Sequence, residues 1–315
     1  MPLDACVRRF LDTLAAGRAP GTEEVPIEGR RTQLAQLMAL AGPSATIERT
    51  ENQALPGPAG ALAIRIYTPH GSPSIGPGLV YFHGGGLVAG SLATHEPIAT
   101  ALAAASQCRV ISVEYRLGPE HRFPAAVEDA LAAVRGVIDA APQFGLDDRR
   151  IGVCGDSAGA TLAAATCAAM AAGPGAPLAL QVLLCPILDH SRPGASRREF
   201  ASGYLVDQAT LDHDLRHYLP AGADLADPRI SPLRAASLAG TPRTILHTAE
   251  FDPLRDEGRD YAERLRHERV TVSYTCHAGM IHLFYGLGAV IPQAADALAS
   301  IGREIRDAFE SGQPT

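Results

Sequence analysis

Beyond residue 60 the chain alternates between two hydrophobic rhythms. Short apolar runs near 62–67, 78–82, 109–114, 150–154, 179–185, 243–248 and 270–275 read as strands. Longer stretches near 94–106, 125–140, 158–172, 254–267 and 290–310 carry apolar residues at helical spacing. Such alternation predicts an α/β fold, a mostly parallel central sheet with helices on both faces. Ahead of it, Cys6, Val7, Phe10, Leu11 and Leu14 recur at helical spacing in residues 3–15, a second helical pattern covers 33–41, and a Pro/Gly-rich break falls at 56–60. The rhythm fails again between Asp189 and Pro232, a polar segment punctuated by Pro and Gly, with a short helical pattern near 207–218. In an open parallel sheet the functional crevice lies beyond the carboxyl ends of the strands, so an insertion leaving a strand there can roof it. The expected organisation is cap helices in 1–50, a first part of the core in 51–188, a cap insertion in 189–231 and the rest of the core in 232–315.

Composition narrows the class of partner. At 315 residues and 46% hydrophobic content the chain can bury a large core. Its 27 basic and 34 acidic residues give a net charge of −7 with no basic cluster, which argues against nucleic acid and anionic membrane and for a small molecule. No run approaches the ~18 apolar residues that span a bilayer, and the start lacks a basic segment followed by an apolar one. The expectation is a soluble, cytoplasmic protein. Its six cysteines contain no C-x-x-C pair and read as buried free thiols rather than a disulfide or metal framework.

Chemistry enters at Gly155-Asp156-Ser157-Ala158-Gly159, between an apolar strand pattern and an alanine-rich helical run. A serine oxygen becomes useful when a sharp turn lifts it into a cleft, and flanking glycines remove the bulk that would block such a turn. The hydroxyl still needs a base, and the base an orienting acid. Thr244 to Ala249 read as a strand that leads through Glu250 and Phe251 to Asp252, ahead of a Pro-initiated helix. Val270 to Cys276 read as another strand, and the loop after it holds both His277 and His282. One of these two is the base; Ala278 and Gly279 let the loop curl back and slightly favour His282. Acyl transfer also needs donors for the oxygen that becomes negative, and bare backbone amides suit this. His83-Gly84-Gly85-Gly86 follows a strand and supplies them, together with the Ala158 amide. A phosphate cradle is the rival use of such a loop, but no Gly-Lys-Ser/Thr follows it.

Taken together, these motifs resemble the hormone-sensitive-lipase-like esterases, bacterial family IV, of the α/β-hydrolase fold. The resemblance rests on His83-Gly84-Gly85-Gly86, on Tyr115-Arg116-Leu117-Gly118-Pro119-Glu120-His121 running into Phe123-Pro124-Ala125-Ala126, and on Gly155-Asp156-Ser157-Ala158-Gly159. It continues in Asp252-Pro253-Leu254-Arg255-Asp256-Glu257-Gly258 and Gly279-Met280-Ile281-His282-Leu283-Phe284, covering roughly residues 75–290. It implies Ser157 as nucleophile, His282 as base and acid, Asp252 as the residue orienting it, and amides of Gly84, Gly85, Gly86 and Ala158 as the oxyanion hole. His83, Asp156 and Glu120 are expected to support the site, with Arg116, Glu120 and His121 forming a polar brace. The resemblance also suggests short to medium acyl chains, a homodimer, and lid segments at 1–50 and 189–231. Leu87 stands where the family usually has an aromatic residue, which bears on pocket shape rather than on chemistry.

His213 and His217 fall four apart, as in zinc proteases, but the Glu and third ligand those sites need are missing, so an exposed lid helix is expected. The reaction calls for neither metal nor cofactor. The alternative is a ligand-binding receptor on the same scaffold, as in the plant gibberellin receptors, where a triad member is lost; here all three candidates are present. Because a general base must be neutral and an unperturbed imidazole has a pKa of about 6.5, ester hydrolysis should fall below neutrality. A rate that stays flat between pH 5 and 8 would contradict an imidazole base.

Overall fold

A computed structural model describes residues 2–17, 25–173 and 178–311. The chain opens with α1 (Ala5–Gly17), whose first turn is capped by the Asp4 carboxylate accepting from Cys6 N at 2.7 Å, and α2 (Ile27–Met38). The strands and helices then follow as β1 (Arg49–Gly57), β2 (Gly60–Thr68), β3 (Gly76–Phe82), α3 (Glu96–Ser106), β4 (Arg109–Val113) and α4 (Ala125–Asp139). Next come β5 (Leu146–Asp156), α5 (Ala158–Ala172), β6 (Leu180–Leu184), α6 (Ala195–Glu199) and α7 (Gln208–Tyr218). The chain ends with β7 (Arg243–Phe251), α8 (Arg255–His267), β8 (Val272–Ile281) and α9 (Gln293–Ser311).

All eight strands form one sheet in the order β1-β2-β4-β3-β5-β6-β7-β8. The first two pairings are antiparallel and the rest parallel, the α/β-hydrolase arrangement. β4 and β6 are buried along their whole length, which is why they read as unbroken apolar runs rather than alternations. Helices α3 and α9 pack together, as do α4 and α5. Every residue of α5 from Ala158 to Cys167 is buried, and its small side chains let it lie close behind β5.

The sequence pattern missed one strand. β1 pairs with β2 from Arg49↔Thr68 to Gly57↔Gly60, so the Pro/Gly-rich break at 56–60 is the turn of a hairpin. Eight of its nine residues are not buried, since β1 is a sheet edge facing water on most of its surface; that removes the apolar signal and makes Pro56 tolerable. Helix α2 starts earlier than the expected 33, because its first turns carry charged residues, Arg30 and Arg31 among them, that are held by ion pairs instead of an apolar stripe. Strands β7 and β8 run several residues further than their apolar cores, carrying the chain to the two loops that matter for chemistry. Four of the six cysteines are buried, Cys6 is half-buried and Cys276 exposed, all as free thiols. Among the described residues no helix is long and apolar enough to cross a membrane.

Candidate active site

The chain passes from β5 to α5 through a single residue, Ser157, with φ 53° and ψ −121°. A side chain in this left-handed region is costly, and the turn is held by its surroundings. Ser157 N donates to Leu184 O at 2.8 Å. A Cβ at Gly159 would lie 2.1 Å from the carbonyl oxygen of Phe82 and 2.5 Å from that of His83, so only glycine lets the helix start this close to β3. Gly159→Ala is therefore expected to give little folded protein, read as loss of the soluble fraction; a soluble variant with the wild-type melting point would contradict this.

Two other strand ends complete the geometry. Asp252 follows β7 directly; its Oδ1 accepts from Leu254 N at 2.8 Å and its Oδ2 accepts from His282 Nδ1 at 2.8 Å. His282 follows β8, and its Nε2 lies 2.9 Å from Ser157 Oγ. Since a carboxylate only accepts, the proton sits on Nδ1 and Nε2 is left to receive the hydroxyl hydrogen. All three residues are buried. The other candidate, His277, is elsewhere: its Nε2 meets His247 Nδ1 at 3.0 Å, and burial together with His247 pushes its pKa down to about 4.

The glycine loop is anchored from below. Asp156 Oδ1 accepts from Gly84 N at 3.0 Å and from the Tyr81 hydroxyl. Burial works to raise the Asp156 carboxyl, but the neighbouring His95 and the Tyr81 bond outweigh it and hold it below the usual range. His83 stacks on Tyr115 with ring centroids 4.4 Å apart, its Nδ1 sits 2.8 Å from Gly84 O, and the Tyr115 hydroxyl donates to His83 O at 2.6 Å. Full burial, reinforced by His95, pushes His83 down to about 3, which makes it a neutral scaffold ring. The Gly84 amide is thus committed to Asp156 and cannot serve as an oxyanion donor, which corrects the expectation for that residue. Gly85 and Gly86 have no amide partner among the described residues, and Ala158 opens α5, where an N–H has no intrahelical acceptor. Asp156→Ala would strand two buried donors and is expected to cost about 3 kcal/mol or more of stability. Calorimetry checks this, and an unchanged unfolding midpoint would remove the anchor role.

The expected brace of Arg116, Glu120 and His121 is not formed. Arg116 instead grips Asp129 of α4 with contacts of 2.8–3.1 Å. Glu120 is half exposed and pairs with Arg31 of α2 at 2.6 Å, so it ties the N-terminal helices to the loop after β4 from the rim. Sequence proximity suggested the first set of partners; only the fold could bring α2 across. The helix holding His213 and His217 is likewise not an exposed one, since His213 and Asp214 are buried. His213 Nε2 faces Val25 O at 2.8 Å and His217 Nδ1 faces His213 O at 2.9 Å, so the pair is turned to backbone rather than to a metal. Cys185, Asp252 and His282 place ligand atoms within 4.8 Å of one another, but burial drives the Cys185 thiol well above its ordinary range and Asp252 and His282 are already bonded together. A neutral thiol beside a satisfied pair is a poor cation site.

Above the triad lies a cleft of about 420 Å³, roofed by α1, α2 and α7 and lined by Leu34, Leu37, Val206 and Leu283 around Ser157 and His282. A second recess of only about 30 Å³ shares Gly86 and Leu211 with it and reaches Ala158, walled by Leu87, Tyr218 and Ile230. Arg30 and Asp214 also line the main cleft, and no motif pointed to either; their signal is purely tertiary.

The sheet and the three converging strand ends define an α/β hydrolase, and the family model for that fold matches residues 79–286. The chain belongs to its hormone-sensitive-lipase-like branch, the bacterial family IV esterases. It is 39% identical over 242 residues to a carboxylesterase (NlhH) of Mycobacterium tuberculosis, covering 75% of each chain. It is 34% identical over 312 residues to an arylesterase of Saccharolobus solfataricus, covering 98% of this chain and all of that one. Among solved structures it is similar to an ester hydrolase from the Lake Arreo metagenome complexed with a bipyridine phosphonate derivative. That likeness has a TM-score of 0.94 and 38% identity, covering 98% of this chain and 99% of the other.

Proposed function

We propose that this chain hydrolyses carboxylic esters of short to medium acyl length through an acyl-enzyme on Ser157. The observation that carries the reading is the unbroken line Asp252 Oδ2, His282 Nδ1, His282 Nε2, Ser157 Oγ, with contacts of 2.8 and 2.9 Å at the floor of the main cleft. Ser157 Oγ attacks the ester carbonyl while His282 Nε2 takes its proton, and Asp252 holds the imidazole in the tautomer that can do so. The carbonyl oxygen, now negative, is received by the amides of Gly85, Gly86 and Ala158. His282 returns the proton to the departing alcohol, then activates a water that releases the acid and restores Ser157. The reaction needs no metal or organic cofactor.

The volumes support an unequal division of the substrate. A cleft of about 420 Å³ falls in the range of small-ligand sites, whereas about 30 Å³ is room for little more than a solvent molecule or two. A series of p-nitrophenyl esters from acetyl to decanoyl is expected to peak at short to medium chains, and a fluorophosphonate probe is expected to label wild type at Ser157. Absence of labelling at Ser157 would favour a non-catalytic receptor role and end the esterase reading.

A further inference from the structure

We propose that Arg30 is a positioning residue for catalysis: it neutralises a carboxylate that the cap holds against the oxyanion loop. The inference rests on the esterase reading above and concerns a residue pair outside the triad. Asp214 of α7 is buried with its carboxylate packed onto Gly86; a Cβ at position 86 would lie 2.0 Å from Asp214 Oδ2 and 2.5 Å from its Cγ. Gly86 is one of the amides proposed to receive the oxyanion, so a bare negative charge there would oppose the charge that develops on the substrate. At a separation of ~5 Å and an effective dielectric of ~20, such repulsion is enough to slow the step by about two orders of magnitude.

Arg30 of α2 answers that charge with both arms of its fork. Its Nε donates to Asp214 Oδ1 at 3.0 Å and its Nη2 to Oδ2 at 2.8 Å, a bidentate pair with little access to water. His213 adds a contact of 3.1 Å from Nδ1 to Oδ1 while its Nε2 holds Val25 O, just ahead of α2. Besides His282, Arg30 and Asp214 are the ionisable side chains lining a cleft that is otherwise leucine, valine, isoleucine, glycine and uncharged polar groups. Their pairing joins the two separate pieces of the roof, α2 and α7. Seating α2 therefore does two things together: it covers the cleft and removes a negative charge from beside the oxyanion loop.

The test is a double-mutant cycle of Arg30→Met, Asp214→Asn and the combined variant. It reads kcat and KM on a p-nitrophenyl ester, the rate of phosphorylation of Ser157 by diethyl p-nitrophenyl phosphate, and the unfolding midpoint. Arg30→Met is expected to lower kcat and the phosphorylation rate about 30-fold, with a smaller change in KM, because it leaves the Asp214 carboxylate without its guanidinium and with only the His213 contact. Asp214→Asn should be the milder single change, and the double variant should run about tenfold faster than Arg30→Met. A merely structural tie would also recover when the stranded carboxylate is neutralised, but that recovery would follow the unfolding midpoint and fall on KM as much as on kcat, whereas the proposal places it on kcat and the phosphorylation rate at an unchanged midpoint. A double variant no faster than Arg30→Met, or an Arg30→Met enzyme within about twofold of wild type, overturns the proposal. If Arg30→Met does not fold, Arg30→Gln and Arg30→Lys carry the same comparison: Lys keeps the charge and should retain most of kcat, Gln should not. Failure of the esterase reading itself is distinct, for then wild type neither turns over the ester nor takes up the phosphate.

Discussion

Ser157→Ala is expected to lower kcat for ester hydrolysis by about 10⁵-fold or more, the scale on which a serine triad collapses when its nucleophile is removed. The reason lies in how few contacts the hydroxyl makes. Ser157 Oγ faces His282 Nε2 at 2.9 Å, so deleting it leaves the cleft walls, the glycine loop and the Asp252–His282 pair in place. Substrate should still bind, and the loss should fall on kcat rather than on KM. Stopped-flow measurement should show the initial burst of p-nitrophenol disappear together with steady turnover. Residual activity within about 100-fold of wild type, in protein free of contaminating enzyme, would mean another group performs the attack.

Asp252→Asn should be the second most damaging change, about 10⁴-fold in kcat, although it alters shape hardly at all. The carboxylate accepts twice, from Leu254 N at one oxygen and from His282 Nδ1 at the other. An amide has one accepting oxygen. With that oxygen kept on the Leu254 amide, the NH₂ group points at Nδ1, the imidazole proton moves to Nε2, and the base presents a donor to a hydroxyl that must also donate. Turning the amide over leaves Leu254 N facing a donor in a buried place. Raising the pH cannot repair either arrangement, so a rate restored above pH 8 would contradict this account.

Much of this arrangement is legible in the sequence because its residues punctuate an apolar pattern. Ser157, Asp252 and His282 each sit one residue past a strand, and the structure brings these three together. The parallel sheet was readable for a related reason, since buried strands such as β4 and β6 leave uninterrupted hydrophobic runs. What escaped was whatever lacks an apolar signature or a neighbour in sequence. β1 was hidden because an edge strand with one buried residue has no rhythm. The sequence favours His282 over His277 but places both in one loop, whereas β8 runs on to Ile281 and holds His277 within the strand; the withdrawal of Gly84 from the oxyanion role depends on a bond to a residue 72 positions away. Arg30 and Asp214 stand 184 positions apart and belong to the two least patterned segments of the chain. Ion pairs of that span leave no local mark.

The left-handed backbone at Ser157 carries a consequence for how this protein tolerates change over time. An ordinary side chain in that conformation is a standing penalty of about 1–3 kcal/mol, which glycine would not incur. Selection for robustness alone would thus drive position 157 toward glycine, which has no hydroxyl, and on the proposed mechanism only the demand for turnover opposes that drift. A lineage released from that demand would be expected to lose its hydroxyl here early and to gain thermal resistance as it did so.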